Sequence, residues 1–128
     1  MKRHSTNYFN TFIKVAEDCP VDKAEIPPEK QPKSAVRKEY ELLCENPYKY
    51  TSDEVLLLTK GQGQSAEEFF SKGRPCFRTS ALTKRYGWGI HCDDSGRIAI
   101  FAAESPEYDK FIRDISLKVI TAARNKRR

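Results

Sequence analysis

From Ser71 to Cys92 the sequence sets Lys72, Arg74, Arg78, Lys84, Arg85 and His91 among Phe77, Tyr86 and Trp88, with no Asp or Glu in the whole stretch. Guanidinium groups offer paired N–H donors to phosphate or carboxylate, and an aromatic face beside them can pack on a flat ligand or a base. Gly87 and Gly89 flank Trp88, the single tryptophan of the chain, so another backbone can come close there. Arg74, Arg78, Lys84, Arg85, Tyr86, Trp88 and His91 therefore form a candidate site for an anionic ligand. The plainer alternative puts Phe77 and Trp88 in the core and makes the cations a solvated rim.

Cys76 and His91 suggest a second chemistry, a thiol nucleophile served by an imidazole. On neighbouring strands they could meet, with Arg78 or Arg85 lowering the thiol pKa and Asp93 or Asp94 orienting the ring. Strand alternation restricts this idea. Trp88, Ile90 and Cys92 share one face and His91 takes the other, so Cys92 is expected in the core and a His91–Cys92 dyad is not. A lone cysteine and a lone histidine on adjacent strands are more often structural. Cys19, Cys44, Cys76 and Cys92 form no CxxC or CxxH pair, and His4 lies far from His91, so neither a metal nor a cofactor is expected. Cysteines this sparse read as free thiols in a reducing compartment. Gly61-Gln62-Gly63-Gln64-Ser65 lacks the lysine of a phosphate-binding loop and reads as a turn into a helix. Glu67-Glu68 and Asp93-Asp94 read as solvated pairs.

The 128 residues fit a single domain, 1–128. The longest apolar run, Val55-Leu56-Leu57-Leu58, falls far short of the roughly 20 residues of a membrane span. No apolar stretch follows the basic Met1–Asn7 start, so a cytoplasmic protein with no membrane partner is expected. The net charge of +5 resides at the ends. Lys2, Arg3, Arg124, Lys126, Arg127 and Arg128 account for six of the 23 basic residues, leaving 17 against 18 acidic ones in 5–123, a formal −1. Residues 124–128 are thus a basic tail on a balanced body, able to add salt-sensitive attraction to a polyanion.

The elements that must position these groups follow from local pattern. Asn10–Ala16 reads as a strand. Residues 20–33 carry Pro20, Pro27, Pro28 and Pro32 and read as an irregular loop, either a surface strap or a lid. Ser34 caps a helix to about Glu45, with Val36, Tyr40 and Leu43 as its stripe, and Asn46-Pro47 stops it. Tyr48 and Tyr50 look exposed in the turn that follows. Thr51–Glu54 could open a helix, but Val55–Thr59 is read as a buried strand after one turn. Ser65–Glu68 forms a capping box for a helix that Gly73 ends. Pro75–Thr79 reads as an edge strand, Ser80–Arg85 as a helical turn, and Tyr86–Cys92 with Arg97–Ala102 as a hairpin turning at Asp93–Gly96. Ser105-Pro106 starts a helix with Tyr108, Phe111, Ile112 and Ile115 on one face, and Leu117, Val119 and Ile120 continue it. The sum is an α+β fold, a largely antiparallel sheet of four to five strands with helices packed on it.

Several runs carry a family resemblance: Asn46–Thr51, Gly73–Arg78, Gly96–Ala99, Ser105–Tyr108 and, most specific, Lys84-Arg85-Tyr86-Gly87-Trp88-Gly89-Ile90-His91. With them the chain resembles, over nearly its whole length, a family of short standalone bacterial proteins classed as a domain of unknown function. The resemblance implies a single cytoplasmic domain and supplies no activity, cofactor or catalytic residue. It makes Asn46, Pro47, Tyr48, Arg78, Lys84, Arg85, Trp88 and His91 the positions to probe. Three functions stand in order: a non-enzymatic binding module for a small anionic ligand, a nucleic-acid-binding protein, and an enzyme using Cys76 and His91.

Overall fold

A computed structural model of the chain describes residues 5–61, 63–73 and 76–125. Its strands are β1 (Thr11–Lys14), β2 (Trp88–Cys92), β3 (Ile98–Ala102) and β4 (Lys118–Thr121). They form one mixed sheet in the order β3-β2-β1-β4, in which β2 runs antiparallel to both neighbours and β4 lies parallel to β1. The helices are α1 (Ala35–Glu45), α2 (Ser52–Lys60), α3 (Ala66–Phe69), α4 (Ala81–Lys84) and α5 (Pro106–Arg113). The protein is therefore α+β with a mostly antiparallel sheet, and among the described residues that sheet has four strands. Among the described residues no helix is long and apolar enough to cross a membrane.

Strand alternation sorts the side chains onto two faces. Ile13, Ile90, Cys92 and Ile98 point into the main core, where Leu43, Val55, Leu56, Phe69, Phe70, Phe77 and Leu82 meet them. Phe12 and His91, paired across β1 and β2, take the opposite face under α5. There Gly89 is needed for space: a Cβ would lie 2.6 Å from both the Phe12 and the Tyr108 ring. Gly96, at φ +82°, makes the hairpin turn in the left-handed region that glycine tolerates.

Five expectations are corrected. Residues 52–60 are helical rather than a strand, because Thr51 and Glu54 complete a reciprocal cap, Thr51 Oγ1 accepting from Glu54 N at 3.2 Å and Glu54 Oε1 from Thr51 N at 2.9 Å. Val55, Leu56 and Thr59 then turn inward together, while Leu58 is 61% exposed, as helical spacing requires. Phe77–Thr79 is a 3-10 turn rather than an edge strand. Thr79 N and Oγ1 both donate to the Cys76 carbonyl, and Thr83 Oγ1 to that of Phe77, so local bonds replace a ladder. α3 stops at Phe69, short of Gly73, where Ser71 Oγ takes the Glu68 carbonyl at 2.7 Å. Lys118–Thr121 is a strand rather than the end of a helix. Asp114 accepts from Ser116 N and Oγ in a tight turn, and the β-branched run beyond it pairs with β1. Ile115 falls in that turn, fully exposed, and shares no helix face with Tyr108.

Residues 20–33 hold no helix or strand. They cross the start of β2, where Gly87, at φ +79°, leaves room: a Cβ there would sit 3.1 Å from Ala24 Cα.

Candidate functional site

The basic segment is built from the 3-10 turn and α4, and it packs at the far ends of β1 and β4. Ser80 caps α4 by accepting from Leu82 N at 3.1 Å, and its hydroxyl donates to Glu39 Oε1 at 2.9 Å. Glu39 is 1% exposed on α1, and its other oxygen lies 3.7 Å from Lys60 Nζ at the end of α2. A buried carboxylate thus pins the helix that carries Lys84. Burial pushes the Glu39 carboxyl above its usual range, against the opposing pull of Lys60 and Ser80.

Arg78 is exposed, with Nε donating to the Thr121 carbonyl at 3.0 Å and its own carbonyl accepting from Ala123 N at 2.8 Å. Asn125 Nδ2 donates to the Lys84 carbonyl at 2.8 Å, and Asn125 N donates to the Asp18 carboxylate. The 78–85 segment and the chain leaving β4 therefore lie side by side. Ion pairs among the described residues engage Lys33, Arg37, Lys60, Arg113 and Arg124. Arg78, Lys84 and Arg85 have no carboxylate partner among those residues. Arg74 lies outside the described residues, as do Lys2, Arg3, His4, Pro75 and Lys126–Arg128.

Tyr86 and Trp88 are engaged by the proline-rich segment. The Tyr86 carbonyl accepts from Glu25 N at 2.8 Å, and Trp88 Nε1 donates to the Glu25 carbonyl at 2.8 Å. The half-buried indole leans on Tyr40, with ring centroids 5.5 Å apart at 56°. Trp88 is thus neither deep core nor an open wall: the chain's own proline-rich segment covers it.

His91 sits on the α5 face. Its ring stacks on Phe111 with centroids 4.3 Å apart, and Nδ1 shares a 2.8 Å hydrogen bond with the Tyr48 hydroxyl. Tyr48 holds a left-handed backbone, φ +59°, uncommon for a bulky residue, and its amide donates to the Ile98 carbonyl on β3. Burial pushes the Tyr48 phenol up to about 12 and lowers the His91 imidazole, with Asp93 and Asp114 drawing the imidazole back up. Both groups are therefore uncharged at neutral pH.

Cys76 has a different neighbour. Its Sγ lies 3.4 Å from the Tyr8 hydroxyl, a phenol that burial raises and Arg78 opposes. Each member of the thiol–imidazole pair is thus bonded to a tyrosine of its own. Cys92 is buried, as alternation requires, and burial pushes its thiol up to about 12.

Sequence reasoning missed Tyr8, Glu25, Arg37, Glu39 and Asn125 as neighbours of these groups. Glu39 was legible as a charge on the inner flank of the Val36–Tyr40–Leu43 stripe. The others had no local signal, since their partners lie in distant elements.

No curated protein and no solved structure matches this sequence. A family model matches it over residues 3–128, and the chain belongs to that family, DUF6157, a family of unknown function.

Proposed function

We propose that the protein is a non-enzymatic binding module for an anionic ligand, contacted through Arg78, Lys84 and Arg85, with Arg74 from the same stretch of sequence. One observation carries this reading: Arg78, Lys84 and Arg85 stand without carboxylate partners among the described residues, while Arg37 and Arg124 are paired. Arg85 keeps its whole fork of donors for a ligand oxygen pair, and Arg78 offers the donors left by its bond to the Thr121 carbonyl. Tyr86, Trp88 and His91 follow the segment in sequence, but Trp88 is engaged by the proline-rich segment and His91 lies under α5, so this reading does not use them to grip the anion. The bacterial origin, the cytoplasmic location and the Lys84–His91 run as family signature belong to the same proposal, and four free cysteines support the reducing compartment.

The test is a thermal-shift panel of inorganic phosphate, nucleotides, sugar phosphates, dicarboxylates and short single-stranded DNA, at low and moderate salt. A ligand at about 100 times its Kd adds roughly 2.7 kcal/mol, several degrees for a domain this size. We expect one small anion to shift the wild type and not Arg78→Ala/Arg85→Ala. An equal shift in both proteins refutes the site.

Nucleic acid is the second reading, favoured by Asn125, which is tied to the Lys84 carbonyl where the sequence runs on into Lys126-Arg127-Arg128. It expects a response to DNA alone that falls steeply with salt. A thiol enzyme would need Cys76 and His91 to leave Tyr8 and Tyr48 for each other, and alkylation of Cys76 would then abolish activity.

A further inference from the structure

A bulky side chain at φ +59° is strained, and Tyr48 keeps that backbone only because its surroundings hold it. Two bonds do so. Its amide donates to the Ile98 carbonyl at 3.0 Å, and its hydroxyl meets His91 Nδ1 at 2.8 Å. Ile98 N donates in return to the Tyr50 carbonyl at 2.9 Å, and Thr51 forms an isolated antiparallel bridge with Arg97. Residues 46–51, the corner between α1 and α2, are thus laced to the edge of β3, with the Tyr48 phenol reaching past that strand to His91 on β2.

The sense of the Tyr48–His91 bond follows from its partners. Burial keeps the proton on the phenol, and its hydroxyl has no other acceptor among the described residues. The phenol therefore donates, Nδ1 accepts with its lone pair, and the ring's own proton sits on Nε2. Phe111 stacks on this neutral ring with an interplanar angle of 17° and packs α5 over it. A second proton, on Nδ1, takes the lone pair away. Two hydrogens then face each other in one bond, and the phenol must turn its own toward no described acceptor. Burial opposes that proton, while the carboxylates of Asp93 in the hairpin turn and Asp114 at the end of α5 favour it, and burial is the larger influence. Cys92, on the opposite face of β2, adds no charge, since its thiol is pushed up to about 12. The fold thus prefers the neutral imidazole, and the stability this confers is complete above the ordinary 6.5 and lost as pH falls.

We propose that Tyr48 and His91 form a pH-sensitive latch holding the α1–α2 corner on the edge of β3, closed while the imidazole is neutral and opened by its protonation. Losing the phenol bond leaves Tyr48 held in the left-handed region by its amide alone. Relaxation of that backbone is what lifts the corner and uncovers the Ile98 N–H and carbonyl. The latch uses none of the basic residues of the 78–85 segment and stands or falls without the anion site.

The test is amide hydrogen exchange of the full chain, read by NMR at neutrality and at about pH 5 as protection factors, so that the intrinsic pH dependence of exchange cancels. We expect protection of the Tyr48 and Ile98 amides to fall roughly 10-fold or more on acidification, while the slowest core amides change little. Tyr48→Phe keeps the ring and drops the bond, so both amides should already exchange fast at neutrality and respond little to pH. No fall at these two amides, an equal fall at all amides, or a pH response that survives Tyr48→Phe overturns the latch. Should Tyr48→Phe fail to fold, the titration of the His91 imidazole in the unaltered chain decides. A midpoint below 6.5 supports the latch, whereas one at or above 6.5 means that Asp93 and Asp114 outweigh burial and ends the proposal.

Discussion

Trp88 and Arg85 are near neighbours in sequence, yet the fold surrounds one and leaves the other bare. Trp88 has Tyr40 on its ring and a strap carbonyl on its N–H, whereas the Arg85 side chain has no partner among the described residues. The difference follows from what each group asks of its cover. An indole presents one neutral donor, which a single backbone carbonyl satisfies while the ring buries apolar area. A guanidinium presents five donors and a charge, and a strap of neutral carbonyls would strip its water without replacing it. The chain's own segment therefore closes the aromatic ground and stops short of the cationic ground. Helix α1 serves both: Arg37 holds the strap by the Pro27 carbonyl and Tyr40 backs the Trp88 ring, while Glu39, buried beside them in sequence, holds Ser80 beneath the basic segment.

The largest expected effect tests whether closure over Trp88 carries energy. Trp88→Ala removes the platform that Tyr40 and the strap share, and should cost about 2–3 kcal/mol in urea unfolding, below the full cost of a buried tryptophan because the ring is only half-buried. Trp88→Phe keeps the ring and drops the donor, for about 1 kcal/mol. A Trp88→Ala protein as stable as wild type would erase the contrast between the two regions.

Glu39 tests the other side of α1. Glu39→Leu leaves the buried Ser80 hydroxyl without its acceptor, a loss of about 1–3 kcal/mol, whereas Glu39→Gln keeps an oxygen in place. The pH dependence separates charge from packing. Because the folded carboxyl sits above its ordinary 4.5, the folded state holds the proton more tightly than the unfolded one. Its contribution is full below that value and fades as pH rises through the folded pKa. Wild type should therefore lose melting temperature relative to Glu39→Gln between pH 4.5 and neutrality, and a gain over that window would mean that the Lys60 ammonium outweighs burial.

Much of this arrangement was legible locally. Ser34, Ser80 and Ser105 announced their helices, and Asp93–Gly96 its hairpin, because a cap or turn is settled by residues a few places apart. The expectation of close backbone approach beside Trp88 held at Gly87, where Ala24 comes near, whereas at Gly89 it is the Phe12 and Tyr108 rings that do. Leu117-Lys118-Val119-Ile120 misled because its apolar residues suit a helix or a strand equally. What decided was the Asp114–Ser116 turn together with pairing to β1, more than a hundred residues away in sequence. The Val55–Leu58 run misled in the opposite sense, since four apolar residues suggest a buried strand unless the Thr51–Glu54 cap is given priority. The burial of Glu39 was readable from its place on the Val36–Leu43 stripe, but the strap's anchor points left no local trace, because each depends on partners from separate elements.

The smallest expected effect bears most directly on function. Arg85 has no described side-chain partner, and Arg78 gives up one exposed hydrogen bond to Thr121 and its contact with Tyr8. Exposed polar groups of this kind contribute little, so Arg78→Ala/Arg85→Ala should unfold within about 1 kcal/mol of wild type. The comparison with Trp88 then becomes sharp: a folded-state role for the covered aromatic and none for the bare cations. Cations that the fold does not need, in a stretch of sequence without acids, are free to serve a ligand. A loss above about 2 kcal/mol would instead make Arg78 a structural clasp on β4, since surface substitutions away from such features rarely cost so much. In that event Lys84 and Arg85 would be the cations left to carry the anion site.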